Sequence, residues 1–140
     1  ALEASVIYEE DLLLVAPSSH GAITTAADVE IDALAALAPG CTYRAFAEGW
    51  LEQGRLGSPP GRPLRRLELG SYDAILACVA AGGAVAVVPR SVMDLRPSAQ
   101  ALRTAFLARL PTLLIRRKGY ASAAFSALRD RLAAGRDVPA

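Results

Sequence analysis

The segment from Ser71 to Pro89 constrains the fold of this chain most, because it combines a helix start, a glycine turn and a buried strand. Ser71 is placed to accept a backbone N–H at the helix start, and Asp73 lies in the first turn, where the helix dipole favours negative charge. Gly82–Gly83 predicts the helix end, because glycine adopts the left-handed conformation without steric cost. Residues 84–88 are apolar throughout, as is typical of a strand covered on both faces in a parallel sheet. This order of elements predicts an α/β fold.

Apolar spacing and turn residues predict the remaining elements. Residues 34–38 fit either a buried strand or a helix, because their alanines also favour helix. Further strands are expected at 6–8, 12–16, 64–69, 102–107 and 112–117. Helices are expected after Thr24 or Thr25, over 42–56 and 90–93, and from a cap at Ser122 to Gly135, with frayed residues beyond it. Residues 57–63, rich in glycine and proline, predict a loop, and residues 95–100 predict a turn.

Two of these helices have an apolar face that is expected to be buried. In the helix over 42–56 this face consists of Tyr43, Phe46, Trp50 and Leu51, with Glu48 and Glu52 on the opposite side. In the last helix it consists of Phe125, Leu128 and Leu132.

Composition limits the classes of partner. The chain has 140 residues, 53% of them hydrophobic, and a formal net charge of +1. This length supports one ordinary domain, and the near-neutral charge gives no basic footprint for nucleic acid. The arginines at 62, 65 and 66 and the basic run 116–118 are interpreted as solvated strand ends. Acidic residues near the start predict no signal peptide, and no apolar run reaches membrane-spanning length, so a cytoplasmic protein without membrane contact is expected.

The sequence offers little for catalysis or metal binding. Cys41 and Cys78 form no Cys-x-x-Cys pattern, so no metal site is expected, and Cys78 is interpreted as a small buried hydrophobe. His20 is the only histidine and is expected to be exposed in its loop. No nucleophile elbow, dinucleotide fingerprint or phosphate-binding loop is present, so neither an enzyme nor a cofactor is expected.

Candidate binding residues lie where predicted strands lead into helices. In doubly wound sheets, ligands bind beyond the carboxyl ends of strands, where helix N-termini offer backbone N–H groups to anions. Thr42 and Ser71 are expected to cap their helices in any case. The candidates comprise two loops and a third helix start: Gly40, Cys41, Thr42 and Tyr43; Ser71 and Tyr72; and Pro89.

Four segments, at residues 8–20, 36–44, 71–91 and 113–125, occur in an order that resembles the effector-binding domain of LysR-type transcriptional regulators. The first resembles a strand followed by a histidine, and the second resembles the next strand with its effector-contacting loop. The third carries the Gly-Gly-Ala-Val-Ala-Val-Val-Pro run. The fourth resembles the last strand and helix. Together these segments span nearly the whole chain.

The resemblance implies a type 2 periplasmic-binding-protein-like fold, with a mixed, mostly parallel sheet in a Rossmann-like lobe plus part of a second lobe. Residues 1–10 would then be a hinge segment from lobe I, residues 11–108 lobe II, and residues 109–140 the returning piece of lobe I. The first half of lobe I and a DNA-binding winged helix-turn-helix have no counterpart in this sequence. The strand at 112–117 and the helix after Ser122 would thus carry apolar faces whose sheet partners are missing from this sequence, which predicts self-association or pairing with a separate chain.

In function, the resemblance implies a sensor that binds a small, anionic or polar effector between two lobes. Its partners would be the effector, a second copy in a homodimer or higher homo-oligomer, and DNA through the absent N-terminal domain only. The family's cleft is formed on the lobe II side by loops that match residues 40–43 and 71–72. Peroxide-sensing members use a cysteine pair here. Aligning their shared arginine with Arg44 places Thr42 and Leu51 at the positions of the pair. Cys41 is one position away from the first of these and has no nearby resolving cysteine.

Two other functions are compatible with the sequence. A type 2 solute-binding protein of the cell envelope would share the fold without the regulatory role. A small α/β enzyme with an unrecognised site is the second alternative, and it would require turnover that depends on Ser71 or Tyr72.

Overall fold

The computed structural model describes residues 1–56 and 63–135 of the chain. Its strands are β1 (Leu2–Ala16), β2 (Ala33–Ala36), β3 (Arg65–Glu68), β4 (Ala86–Pro89) and β5 (Arg103–Arg117). Its α-helices are α1 (Thr42–Gln53), α2 (Tyr72–Ala80), α3 (Arg90–Asp94) and α4 (Ala123–Ala134), and 3₁₀ segments span Ala26–Asp28 and Pro97–Ala101. The predicted loop at 57–63, apart from Pro63, and the predicted frayed end lie outside the described residues.

The predicted α/β class is confirmed, but two predictions of separate strands are wrong. The strands expected at 6–8 and 12–16 are parts of β1, and those expected at 102–107 and 112–117 are parts of β5, apart from Leu102, which precedes it. Pro111 does not interrupt β5, because β5 is the outer strand of the described order β4–β1–β5 and an edge strand tolerates a missing N–H. The open choice at residues 34–38 is settled as a strand, β2.

Contacts divide the chain into two compact units. Unit 1 comprises Ala1–Glu10 and Arg109–Ala140, and unit 2 comprises Asp11–Ala108. Strands β1 and β5 contribute residues to both units. None of the helices in the described part of the chain is long and apolar enough to cross a bilayer.

Unit 2 is built on a mixed sheet. β2 and β3 pair in parallel, with Ala36 opposite Glu68. A parallel bridge joins Leu34 to Val85, where Val85 accepts from Ala35 N at 2.9 Å and donates to Ala33 O at 2.9 Å. β4 then pairs antiparallel with β1. Residues 84–88 therefore have a parallel neighbour on one side and the antiparallel β1 on the other, in keeping with the mixed sheet that the resemblance implied, and all five residues are buried as expected.

Apolar residues from both faces of the sheet form the core of unit 2. α2 buries Ile75, Leu76 and Val79, as the helix stripe predicts. Its end is marked by Gly82, whose φ of +84° lies in the region that favours glycine.

The predicted buried face of α1 is only partly correct. Leu51 is buried together with Ala47, whereas Tyr43, Phe46 and Trp50 are only partly buried. Charged side chains of α1 pair with β3 beside the residues that are buried. Glu48, expected to lie opposite the core, accepts hydrogen bonds from Arg44 at 2.9 Å and from Arg66 at 3.0 Å.

His20 is buried, not exposed as its loop position predicted. Its Nδ1 lies 3.0 Å from Gly21 O, and its Nε2 accepts from Glu30 N at 3.2 Å. Both ring nitrogens therefore have a backbone partner within the loop. The histidine therefore satisfies the backbone of its own loop.

Unit 1 contains the paired ends of β1 and β5 with α4. Lys118 N donates to Ala1 O at 3.0 Å, and Ser122 caps α4 by accepting from Phe125 N at 3.1 Å. The predicted burial of α4 is wrong: none of its residues is buried, and Leu128 is exposed. Alternate positions of the two strands expose a set of apolar side chains, here called the ribbon face: Leu2, Val6, Tyr8, Leu113 and Ile115.

The ribbon face predicts concentration-dependent association of the 140-residue polypeptide, because exposed apolar patches favour contact with other surfaces. Replacing Leu113 and Ile115 together by serine should shift sedimentation toward the monomer. Leu95→Ser, at an exposed leucine of unit 2, is the matched control and should leave association unchanged. A wild-type chain that stays monomeric at all concentrations would contradict the expectation.

Two glycines near α1 should respond oppositely to alanine. A β-carbon at Gly54 would overlap the backbone of Ala26, so Gly54→Ala should lower the free energy of unfolding by about 1–3 kcal/mol. Gly49 lies inside α1 with open space around it, so Gly49→Ala should raise that free energy by about 0.5–1 kcal/mol. Urea unfolding measures both, and equal effects at the two positions would refute the close approach.

Candidate functional site

The three groups of candidate residues in unit 2 lie at one edge of the mixed sheet. β2 and β3 are parallel neighbours, so the loops that follow them leave the sheet on the same side. Val85 continues this parallel direction into β4, which ends at Pro89. The carboxyl ends of three strands thus bring Gly40–Tyr43, Ser71–Tyr72 and Pro89 to the same edge.

The loop before α1 depends on glycine conformation. Gly40 has φ of +97°, where a side chain would be strained. Cys41, rather than the expected Thr42, is the N-cap of α1, and its side chain makes no capping hydrogen bond. Thr42 is the first helical residue and is exposed, and Tyr43 is partly buried. The Thr42 hydroxyl is therefore not required for capping.

The loop before α2 has the capping geometry that the sequence predicts. Ser71 Oγ accepts from Ala74 N at 3.2 Å. Tyr72 is partly buried against the core of unit 2. Asp73, in the first turn of α2, pairs with Arg96 at 2.6 Å.

Pro89 lies at the same edge of the sheet, beside β1. It is the last residue of β4, lies opposite Leu12 of β1, and precedes α3. The next residue, Arg90, pairs with Asp11 at 3.4 Å. A cavity of about 250 Å³ lies elsewhere in unit 2, beside α2, and its lining includes Asp73 and Arg96 but none of the candidate residues.

An ion-pair network that the sequence did not predict joins α1 to β3. Arg44 pairs with Glu48, and Glu48 also pairs with Arg66 of β3. Arg66 extends the network to Glu52 at 2.7 Å. This arginine is exposed, as its interpretation as a solvated strand residue expects, and is also ion-paired. The four-residue spacing of Arg44 and Glu48 is the signal that could have indicated the helix pair, whereas no local pattern indicated the contacts to β3.

Hydrogen bonding within this network shifts two pKa values. The Arg44 guanidinium holds the pKa of the Glu48 carboxyl below its ordinary value, partial burial opposes the shift, and Arg66 adds to it. The hydrogen bond to Glu48 raises the pKa of Arg44, with a further contribution from Glu68. The network thus favours the charged forms of both Arg44 and Glu48.

Replacing Glu48 by glutamine should reduce the pH dependence of folding. Because its folded pKa is lowered, Glu48 contributes stability above its unfolded pKa of about 4.3, and this contribution is lost as the pH falls through the folded pKa. Between pH 7 and pH 3, the free energy of unfolding should therefore fall less in Glu48→Gln than in wild type. Urea unfolding at both pH values measures the difference, and parallel losses would contradict it.

Comparison with known proteins identifies the family. The family model of the LysR substrate binding domain matches residues 1–136. The chain is 33% identical over 88 residues to the HTH-type transcriptional regulator GltR of Bacillus subtilis (strain 168), an alignment covering 62% of this chain and 28% of GltR. The chain thus spans less than a third of this relative.

Solved structures show the same fold. The CcmR regulatory domain of Synechocystis PCC6803 in complex with 2-PG matches with a TM-score of 0.73 at 17% identity, over 99% of this chain and 69% of that one. CbnR, a LysR family transcriptional regulator, matches with a TM-score of 0.61 at 27% identity, over 94% of this chain and 48% of that one. A structure of full-length CbnR complexed with the target DNA also matches, at a TM-score of 0.66, 22% identity, 96% of this chain and 47% of that one.

These relatives are transcriptional regulators, so the alternative of a solute-binding protein is not favoured. Because the family match extends over nearly the whole described chain, this protein belongs to the LysR family and corresponds to its substrate-binding domain, with a type 2 periplasmic-binding-protein-like α/β fold.

Proposed function

We propose that this chain is the effector-sensing and oligomerising part of a LysR-type regulator, and that its effector binds at the sheet edge formed by Gly40–Tyr43, Ser71–Tyr72 and Pro89. The observation that supports this most directly is the convergence of three strand ends at one edge, each followed by a helix start. Family membership supports a sensing role, since relatives in this family regulate transcription.

The proposed effector is a small anionic or polar molecule. The N-termini of α1 and α2 present backbone N–H groups and a partial positive charge, which favour a carboxylate or phosphate. The Ser71 and Thr42 hydroxyls supply further hydrogen bonds, and the partly buried rings of Tyr43 and Tyr72 supply flat apolar surface. The complex of the CcmR domain with 2-PG is consistent with small-molecule binding on this fold.

In the proposed mechanism, effector binding changes a conformational equilibrium of the regulator and thereby its affinity for DNA. A ligand shifts such an equilibrium only by its difference in affinity for the two states. DNA would be contacted through an N-terminal domain, as the complex of full-length CbnR with its target DNA suggests for the family. The role proposed is binding without catalysis, in a cytoplasmic homo-oligomer.

The intact regulator tests this proposal by thermal shift against a panel of small carboxylates and phosphates that includes 2-PG. A compound that raises Tm should bind at the proposed edge. Thr42→Val removes an exposed hydroxyl that caps nothing, so we expect weaker binding with unchanged stability of the unliganded protein. Ser71→Ala should weaken binding as well, and should lower stability by about 1 kcal/mol through loss of the cap.

Ser122→Ala is the matched control for Ser71→Ala. Ser122 caps α4 in unit 1 by the same hydrogen bond, so its loss should lower stability similarly while leaving ligand affinity unchanged. The expected result is a bound compound that also changes DNA affinity in a mobility-shift assay. Binding that is insensitive to both Thr42→Val and Ser71→Ala would refute the site, and binding without any effect on DNA affinity would refute the sensor role.

A further inference from the structure

Arg44 contacts the loop that leads to α1 and the end of strand β3, which precedes the second loop of the proposed binding edge. From the first turns of α1 its Nη1 donates to Leu37 O at 2.9 Å, at the start of the loop that leads to Cys41. The same Nη1 lies 3.3 Å from Glu68 Oε2, at the end of β3 and three residues before Ser71. One planar guanidinium therefore joins the segment that follows β2 to the last residue of β3.

The remaining donor geometry of Arg44 fixes the side chain in place. Its Nε donates to Glu48 Oε1 at 2.9 Å, four residues along α1, and only 13% of the side chain is exposed. Hydrogen bonds between charged groups are stronger than neutral ones, and the fork of arginine holds their directions. Arg44 is consequently a rigid link between α1, the first loop and β3.

The charge of Arg44 is already balanced. Two carboxylates, those of Glu48 and Glu68, lie within ion-pair distance of its guanidinium. An anionic ligand at the edge would compete with both for this cation. These contacts therefore favour a role for Arg44 in positioning the neighbouring segments over a role as the charge partner of the ligand.

We propose that Arg44 is a positioning residue that holds Gly40–Tyr43 and Ser71–Tyr72 in a common arrangement, so that ligand binding depends on Arg44 without contact to it. The inference rests on the proposed function for its consequence in binding. Its structural part, the coupling of the two loops, is measurable without any ligand.

Arg44→Lys is the informative variant, because lysine keeps the positive charge but its single ammonium group cannot reproduce the three directed contacts. In the intact protein, hydrogen exchange should become roughly tenfold faster at backbone amides of both loops, residues 38–43 and 69–73, as expected for loss of a charge-assisted hydrogen bond. Glu68→Gln weakens only the contact between Arg44 and β3, so faster hydrogen exchange is expected at residues 69–73 alone.

The thiol of Cys41 gives a second, chemical readout of the first loop. In a Cys78→Ala background, alkylation of Cys41 by iodoacetamide should be several-fold faster in Arg44→Lys than with arginine, because the loop opens more often. The retained positive charge keeps the electrostatic influence of residue 44 on the thiol comparable.

Arg55→Lys is the matched control at the other end of the sheet. Arg55 also joins a backbone carbonyl and a carboxylate, Ile31 O at 3.4 Å and Asp32 at 3.2 Å, just before β2 begins. Its loss should lower Tm about as much as Arg44→Lys while leaving exchange in the two loops and alkylation of Cys41 unchanged.

Equal loop exchange and equal alkylation in Arg44→Lys and Arg55→Lys would overturn the positioning role, whatever the effector. Should a member of the carboxylate and phosphate panel bind, its affinity should fall in Arg44→Lys and not in Arg55→Lys. Loosened loops with unchanged affinity for that compound would overturn the link to binding, whereas absence of any bound compound in wild type would count against the proposed function and not against the loop coupling.

Discussion

The parallel pairing of β2 with β3, extended by the bridge from Leu34 to Val85, is the constraint on which the rest of unit 2 depends. It sets three strand ends at one edge and so brings together loops that are distant in sequence. The buried residues of these strands are apolar. The two backbone hydrogen bonds of Val85, each 2.9 Å long, set the parallel direction of β4 relative to β2. The location of the proposed binding edge follows from this pairing.

Much of this arrangement was predictable from local sequence. Ser71, Gly82 and the apolar run after it predicted α2 and β4, because caps, glycine turns and buried strands have short-range signatures. Strand ends followed by helix starts also predicted where the candidate residues converge. The position of the cap at Cys41 instead of Thr42 was missed by one residue, since both positions allow a helix start and only the backbone geometry decides.

Contacts between distant segments were not predictable in the same way. Glu48 accepts a hydrogen bond from Arg66, and the buried His20 accepts one from the backbone N–H of Glu30. Neither partner lies within a turn of the residue it contacts, so no periodicity reports the pair. The antiparallel alignment of β1 with β4 is of the same kind, because a strand's sequence does not state the direction of its neighbour.

This alignment also has a consequence for the order of folding. Of the strand pairings described in unit 2, that of β1 with β4, which places Leu12 opposite Pro89, joins the residues that are furthest apart along the chain. Closing so long a loop is entropically unfavourable until the local elements have formed. Docking of β1 on β4 is thus expected to be a late event in folding, and the apolar side chains of both strands would stay exposed until they pair.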